Sequence, residues 1–382
     1  MTAADRPRLL IISFSRLVSD ARVLKQIVRF RDRYAVTTLG YGPAPEGVVD
    51  HREVPEELPL WRWPRIPLIA RQYRRAFWGN PAIAEARRLL EGVQVDLVLA
   101  NDVEAAGLAR RVVSPERIHA DLHEYAPRQK EDLPRWRIFV APFVRWQLRR
   151  FVVGVASTST VGTRIAREYR ARFGLDPIVV TNAAPYRDLA PSEATATGRI
   201  RIVHSGAALA DRGIDAIIDG VEGTIADVSL DLYLTPNDPA YLGRIRARVA
   251  DSTRVTLHPP VAYELLHETL NRFDVGVHLL PPVNFNNANA LPNKFFDYVQ
   301  ARLGIIVGPS PEMSWIVNER GLGAVCGGFD GDALRRVLDD VDVDQVRQWK
   351  LAAARSAQAL SSDTQVEEWA LALAAISGSA PR

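Results

Sequence analysis

The sequence predicts an α/β protein of two domains, each a parallel sheet covered by helices on both faces. The chain has 382 residues, beyond the size at which one hydrophobic core stops growing. Short apolar runs alternate with helix-like segments, the order that buries a parallel sheet on both sides. That alternation begins again in the second half, after a break rich in proline, alanine and threonine.

In the first half the apolar run Arg8 to Ser13 predicts a strand, followed by a helix from Asp20 and a second strand over Tyr34 to Leu39. Val95 to Ala100 and Arg117 to Leu122 predict further strands, with a helix over Val103 to Val112 between them. The second half repeats the theme with strands at Ile200 to His204, Val228 to Leu234, Arg254 to Leu257, Val275 to Leu279 and Gly304 to Val307, and a helix over Arg212 to Gly220. The break at Ala183 to Gly198 is the linker candidate. The expected division is a first domain over residues 1–185, a linker over 186–198 and a second domain over 199–362. Val366, Trp369, Ala370 and Leu373 recur at helical spacing, so residues 363–382 are expected to form a terminal helix near the domain junction.

With 47% hydrophobic and 24% charged residues the chain is globular rather than disordered. Its formal charge is +3, carried mostly by arginine, with no basic tail or aromatic-interleaved module, so no nucleic-acid partner is expected. The single Cys326 excludes an internal disulfide and a cysteine-cluster metal site. No apolar run reaches the ~18 residues of a membrane span, and Met1 to Arg8 lacks a signal-peptide core, so the expected location is cytoplasmic. Trp61 to Trp78 and Arg135 to Val152 mix arginine, tryptophan and aliphatic residues. They fit either peripheral association with the inner membrane or ordinary helices whose arginine stems cover apolar surface.

Nucleotide-loop, nucleophile-elbow and zinc-protease signatures are absent, and Gly321-Leu-Gly323 reads as a turn. Asp340-Val-Asp342 precedes a helical segment, where carboxylates favour the helix start as readily as a metal. His119, Asp121 and His123 alternate and share a face on a strand, but His123 and Glu124 fall where that strand ends, the place where ligands collect in open parallel sheets. A role for His123 in catalysis or positioning follows more naturally than metal ligation.

In the second half His204-Ser205-Gly206 ends a strand and Asp211-Arg212-Gly213 opens a helix. Gly206 admits close approach of a ligand, and an arginine beside a helix start opposes the helix dipole unless an anion is bound. The stretch N-N-A-N-A-L-P-N-K-F-F-D-Y places Pro292 at a first helical position, with Asn293, Lys294 and Asp297 on one face and Phe295, Phe296 and Val299 on the other. A cation and amides at a helix start suit a phosphate, and a carboxylate one turn on suits sugar hydroxyls. Taken alone, the stretch is equally a solvated helix with an internal Lys–Asp pair.

The motifs S-D-A-R-V-L-K-Q, L-V-L-A-N-D-V-E, A-D-L-H-E-Y, V-V-T-N-A-A-P, H-S-G-A-A-L-A-D-R-G-I-D and A-L-P-N-K-F-F-D-Y-V-Q-A-R-L-G, in this order, resemble the GT-B glycosyltransferases, and among them glycosyltransferase family 4. The resemblance implies two Rossmann-like domains facing a cleft, with Asp20, Arg22 and Asp102 on the acceptor side. It implies transfer from a nucleotide-sugar donor to a glycan or lipid-linked acceptor with retention of configuration and no metal or other cofactor. By the same resemblance Arg212 neutralises the donor diphosphate and His123, with Glu124, lies near the reacting sugar. Asp297 stands where the second glutamate of a Glu-x7-Glu pair binds the ribose, and Asn289 replaces the first. Ala207 stands where many members carry a second phosphate-binding arginine, a charge that Lys294 can supply. Those departures keep two other readings open: a non-catalytic GT-B partner, and a sugar-nucleotide epimerase of the same fold.

Overall fold

The computed structural model describes residues 6–193 and 198–378. The chain forms two compact units: Met1–Thr181 with Asn284–Asn286 and Val366–Arg382, and Asn182–Val283 with Asn287–Gln365.

The first unit is built on seven parallel strands: β1 (Arg8–Arg16), β2 (Ala35–Tyr41), β3 (Asp50–Val54), β4 (Leu97–Asn101), β5 (Ile118–Asp121), β6 (Ser157–Thr160) and β7 (Ile178–Val179). They lie in the order β3-β2-β1-β4-β5-β6-β7. Leu10 of β1 stands between Thr37 and Val98 of its two neighbours. Because successive side chains point to opposite faces, Leu10 and Ile12 join one core with the helices Pro81–Leu89 and Asp102–Val112. Leu9 and Ile11 join the other with the helix Ala21–Phe30. Both sets are fully buried, which is why the run is continuously apolar.

The second unit has six parallel strands: β8 (Ile200–Ala207), β9 (Val228–Thr235), β10 (Val255–His258), β11 (Val275–His278), β12 (Gly304–Val307) and β13 (Gly323–Val325). Their order is β10-β9-β8-β11-β12-β13. The helices Ile214–Gly223 and Gly331–Asp340 cover one face, and Asn293–Gln300 and Val343–Ser356 the other. In each sheet the order reverses beside the first strand, between β1 and β4 and between β8 and β11. The carboxyl ends of those strand pairs are where an open α/β sheet offers a crevice.

Several expectations need adjustment. The boundary expected after residue 185 falls after Thr181, and the described part of the 186–198 segment is bound to the second unit. Arg187 N donates to Gln300 Oε1 at 3.1 Å, and Leu189 O accepts from Arg302. Residues 194–197 of that segment, and 379–382 of the terminal segment, lie outside the described residues. Pro292 precedes the helix Asn293–Gln300 as its N-cap instead of opening it. Arg212 closes a single 3-10 turn, Ala210–Arg212, and the helix begins after Gly213. Asp342 caps the helix Val343–Ser356 through a reciprocal capping box with Gln345, a structural use of that acidic stretch.

The terminal helix Ser362–Ser377 brings Val366, Trp369, Ala370 and Leu373 onto the β1 face of the first unit. Trp369 is almost fully buried there. Trp369→Ala is expected to cost about 3–5 kcal/mol, read as a fall in the denaturant midpoint of unfolding.

Candidate functional site

Asp20 caps the helix Ala21–Phe30, its carboxylate accepting from Arg22 N at 3.0 Å and Val23 N at 3.2 Å. That helix start delivers Arg22 to the centre of the first unit. Its guanidinium grips buried Asp121 with two bonds, Nε–Oδ2 at 2.6 Å and Nη2–Oδ1 at 2.7 Å, and gives a third to Val180 O at 2.9 Å. It also stacks on Trp369, 4.7 Å from the ring centre. Asp20 and Arg22 therefore have structural duties that the sequence, lacking their partners, could not disclose.

Asp121 further accepts from Gln26 at 3.0 Å and from Ser159 Oγ at 2.7 Å. Burial opposes its charge, but Arg22 and His123 hold its carboxyl well below the usual range. Since Ser159 Oγ spends its proton on Asp121, it accepts from Trp369 Nε1 at 3.1 Å and from His119 Nε2 at 2.8 Å. His119 Nδ1 then accepts from Ser157 Oγ at 2.7 Å, which leaves no ring lone pair for a metal. Burial pushes His119 down to about 4, so it is neutral.

His123 follows β5 with φ at +45°, and Asp102 follows β4 with φ at +68°. Non-glycine residues adopt this region seldom, and the surroundings must hold them there. The His123 ring, 22% exposed, has Nδ1 3.4 Å from Asp102 Oδ1 and Nε2 3.4 Å from Asp121 Oδ2. Burial disfavours its charge, but these two carboxylates outweigh that and raise it to about 9. At neutral pH it is an imidazolium, with Nε2 enclosed beside Asp121. Glu124 is exposed at the surface beside it. Glu104, which the sequence reading did not single out, is raised to about 7 by burial and by Asp102.

The stretch Asn286 to Tyr298 is divided between the units. Asn286 belongs to the first, where Tyr125 N donates to its Oδ1 at 3.0 Å and its Nδ2 donates to Tyr125 O at 3.3 Å. Phe285 lies on Tyr125 with ring centres 5.2 Å apart. These contacts brace the segment just after His123 and Glu124.

In the second unit Gly206, near the end of β8, has φ at +140°. A Cβ there would lie 2.7 Å from Lys294 Nζ, so the ammonium rests against glycine backbone. Gly213 has φ at +72°, and a Cβ would lie 2.0 Å from Leu279 O, which makes glycine the residue that lets this helix start abut the end of β11. Arg212, half-buried, stands 3.5 Å from Asp211. Burial and the charge of Arg212 push Lys294 down to about 7.

His204 and His278 stack beneath these cations, ring centres 6.0 Å apart. His204 Nδ1 donates to Val277 O at 2.9 Å. Burial, then Lys294, pushes His204 down to about 3; the same causes, with His204 and Arg212, hold His278 well below its ordinary value. His278 is buried with neither ring nitrogen hydrogen-bonded among the described residues. Neither histidine was selected from the sequence as part of a site.

Lys294 and Asp297 do not present one open polar face. Asn293 is exposed, Lys294 half-buried and Asp297 buried, with His267 Nε2 3.0 Å from Asp297 Oδ1 and the Tyr263 hydroxyl also engaging that carboxylate. Asn289 is buried as well. Phe295, Phe296 and Val299 enter the core as expected.

His123 is raised above its ordinary pKa, so its contribution to stability is fully present below about 6.5 and disappears as pH rises through about 9. Unfolding free energy is expected to fall across that window, and His123→Gln to flatten this part of the pH profile. Titration of the ring followed by NMR gives the same pKa directly.

No protein-family model and no curated protein matches the chain. Solved structures do. Sucrose-phosphate synthase from Thermosynechococcus elongatus is 13% identical at a TM-score of 0.70, with 98% of this chain and 100% of that one covered. An alpha,alpha-trehalose-phosphate synthase (UDP-forming) from Burkholderia vietnamiensis is 14% identical at 0.68, covering 96% and 100%. HepE of Anabaena, in complex with UDP and glucose, is 13% identical at 0.65, covering 97% and 100%. Each unit, a parallel sheet flanked by helices, is Rossmann-like, and the chain has the GT-B fold of these solved structures.

Proposed function

We propose that the chain is a retaining glycosyltransferase that moves a sugar from a nucleotide-diphospho-sugar to a glycan or lipid-linked acceptor, in the assembly of cell-surface polysaccharide. The observation that carries this reading is the pair Arg212 and Lys294 at the β8/β11 reversal, with Lys294 against Gly206 and two neutral histidines beneath. Two cations at this crevice, one of them laid against glycine backbone, suit a diphosphate. The GT-B neighbours include a UDP-forming synthase and a complex with UDP and glucose, which supports the same donor class.

As the bond from sugar to phosphate breaks, negative charge grows on the departing diphosphate. Arg212 and Lys294 stand ready to stabilise it, with no reorganisation at the moment of reaction. His278, buried with its ring nitrogens unbonded, can donate one N–H to a phosphate oxygen. In the first unit the His123 imidazolium orients the sugar by donation and does not act as a base. In front-face retention the acceptor proton passes to the leaving phosphate. Asp297 acts through its charge on Lys294, since its carboxylate is already held by His267 and Tyr263; Asn289 and Asn293 are the remaining polar groups proposed for the donor. No metal is required, because the two side-chain cations take the diphosphate charge.

Arg212→Ala and Lys294→Ala are each expected to lower turnover about 10²–10³-fold at saturating donor, while chelation of metals leaves it unchanged. Near-normal turnover in both variants overturns the diphosphate assignment, and inversion at the anomeric carbon overturns retention. Screening UDP-, GDP- and dTDP-sugars by thermal shift selects the donor. The Asn289 and Ala207 departures favour a second reading, a donor-binding partner without activity; donor binding with no transfer to any acceptor pool distinguishes it. Conversion of free donor without acceptor would instead mark an epimerase.

Lys294 also sets a pH dependence. Below about 7 it is already charged, and above it a bound anion must draw a proton onto it. Donor affinity is expected to be flat below pH 7 and to fall above it by up to about tenfold per unit. Lys294→Arg should abolish that slope in calorimetric titrations.

A further inference from the structure

We infer that the first unit carries a docking face for a bilayer with anionic headgroups, formed by the segment Trp61 to Trp78 together with the turn Trp136–Val140 and the residues just before it. The inference stands independently of the transferase reading.

The two segments are held together from inside. Trp63 meets Phe143 edge-on at 4.9 Å, Tyr73 meets Phe143 at 5.6 Å and Trp146 at 6.0 Å, and the helix Arg65–Ile69 packs against the π-helical turn Trp136–Val140. Leu68, Phe77 and Phe143 face inward and are buried. With that inner face satisfied, the outward residues are left in water. Ile66 is 82% exposed and Trp61 72%, and Ile69, Leu133 and Ile138 are each at least half exposed. Large apolar side chains scattered singly need no explanation, but five on two adjoining segments mark an interaction surface.

Charge decides what covers it. The segment Trp61 to Trp78 holds five arginines and no carboxylate, and Leu133 to Val152 likewise holds arginines and no carboxylate. Arg62, Arg65, Arg135 and Arg137 are exposed among the apolar residues, Arg62 with its guanidinium 5.1 Å from the Trp61 ring centre. Glu56, Glu57 and Asp132 are exposed at the ends of these segments, so the face is predominantly and not wholly cationic, and arginines set among aliphatic tips fit an interface that offers phosphates above hydrocarbon. A nucleic acid would satisfy the arginines but give Ile66, Ile69 and Ile138 nothing apolar to enter. No helix among the described residues is long and apolar enough to cross a membrane, so the contact proposed is with the bilayer surface.

The test is co-sedimentation of the full chain with vesicles of phosphatidylcholine alone and with about 30% phosphatidylglycerol, since each arginine near such a surface multiplies affinity roughly fivefold. Binding is expected to be at least about tenfold tighter on the anionic vesicles, and weaker as salt screens the charges. The pair Ile66→Glu and Ile138→Glu should abolish it. Both positions are exposed, so the variant should keep the unfolding midpoint and any donor-induced thermal shift of the parent. Failure to bind anionic vesicles, equal binding to neutral ones, or binding indifferent to the double substitution each overturns the inference. So does self-association that the same variant abolishes, because a second copy would then own the face.

Discussion

The first unit depends on the buried pair of Arg22 and Asp121. Taking two charges out of water costs several kcal/mol per ion unless their remaining hydrogen-bonding capacity is also met. Here it is: Arg22 gives two bonds to the carboxylate, one to Val180 O and its face to Trp369, while Asp121 also takes Gln26 and Ser159. The partners come from the first helix, β5, β6, the end of β7 and the terminal helix. Their convergence on one carboxylate fixes where the chain leaves β5. It therefore also fixes His123, whose ring stands 3.4 Å from that same Asp121 and borrows its charge.

The second unit places its cations by a different constraint, the absence of a side chain. Gly213 lets a helix start abut Leu279 O, and Gly206 lets an ammonium lie on the backbone. Any Cβ at either position would force β11, the helix start or Lys294 to move. The electrostatic outcome is opposite as well. Arg22 is neutralised by a partner at bonding distance, whereas Lys294 is depressed by burial and by Arg212, and the histidines beneath it stay neutral. One unit encloses a charge met by its partner; the other sets Lys294 beside a second cation.

Much of the fold was legible because its strands are buried on both faces, so that R-L-L-I-I-S and G-I-I-V read as apolar runs. β6 was not, because Ser157 and Ser159 spend their hydroxyls on the network of His119 and Asp121 and Thr160 donates to His123 O. β3, with Asp50, His51, Arg52 and Glu53 at a sheet edge, lacks the apolar signal altogether, and β7 is two residues long. The site was legible as residue types at strand and helix ends. What each residue touches was not. Asp20 as a cap and Arg22 as half of a buried pair look from sequence like ligand-facing polar residues, because Asp121 lies 99 positions from Arg22. His204 and His278 carried no signal beyond lying in two apolar strands.

The choice of lysine at position 294 has its own physical consequence. An arginine there would stay charged whatever its surroundings, and its repulsion with Arg212 would burden the empty site permanently. A lysine on a buried stem can shed its proton instead, and one lowered to about 7 is close to half charged at neutral pH. The pair Lys294 and Arg212 is thereby relieved of part of its repulsion. A diphosphate bound there as proposed would restore the charge by stabilising the protonated form, and would so complete its own binding site. Asp297, held by His267 and Tyr263 one turn along the same helix, keeps the balance from tipping further. It draws Lys294 toward the charged form without bonding it, and leaves the ammonium free for the anion.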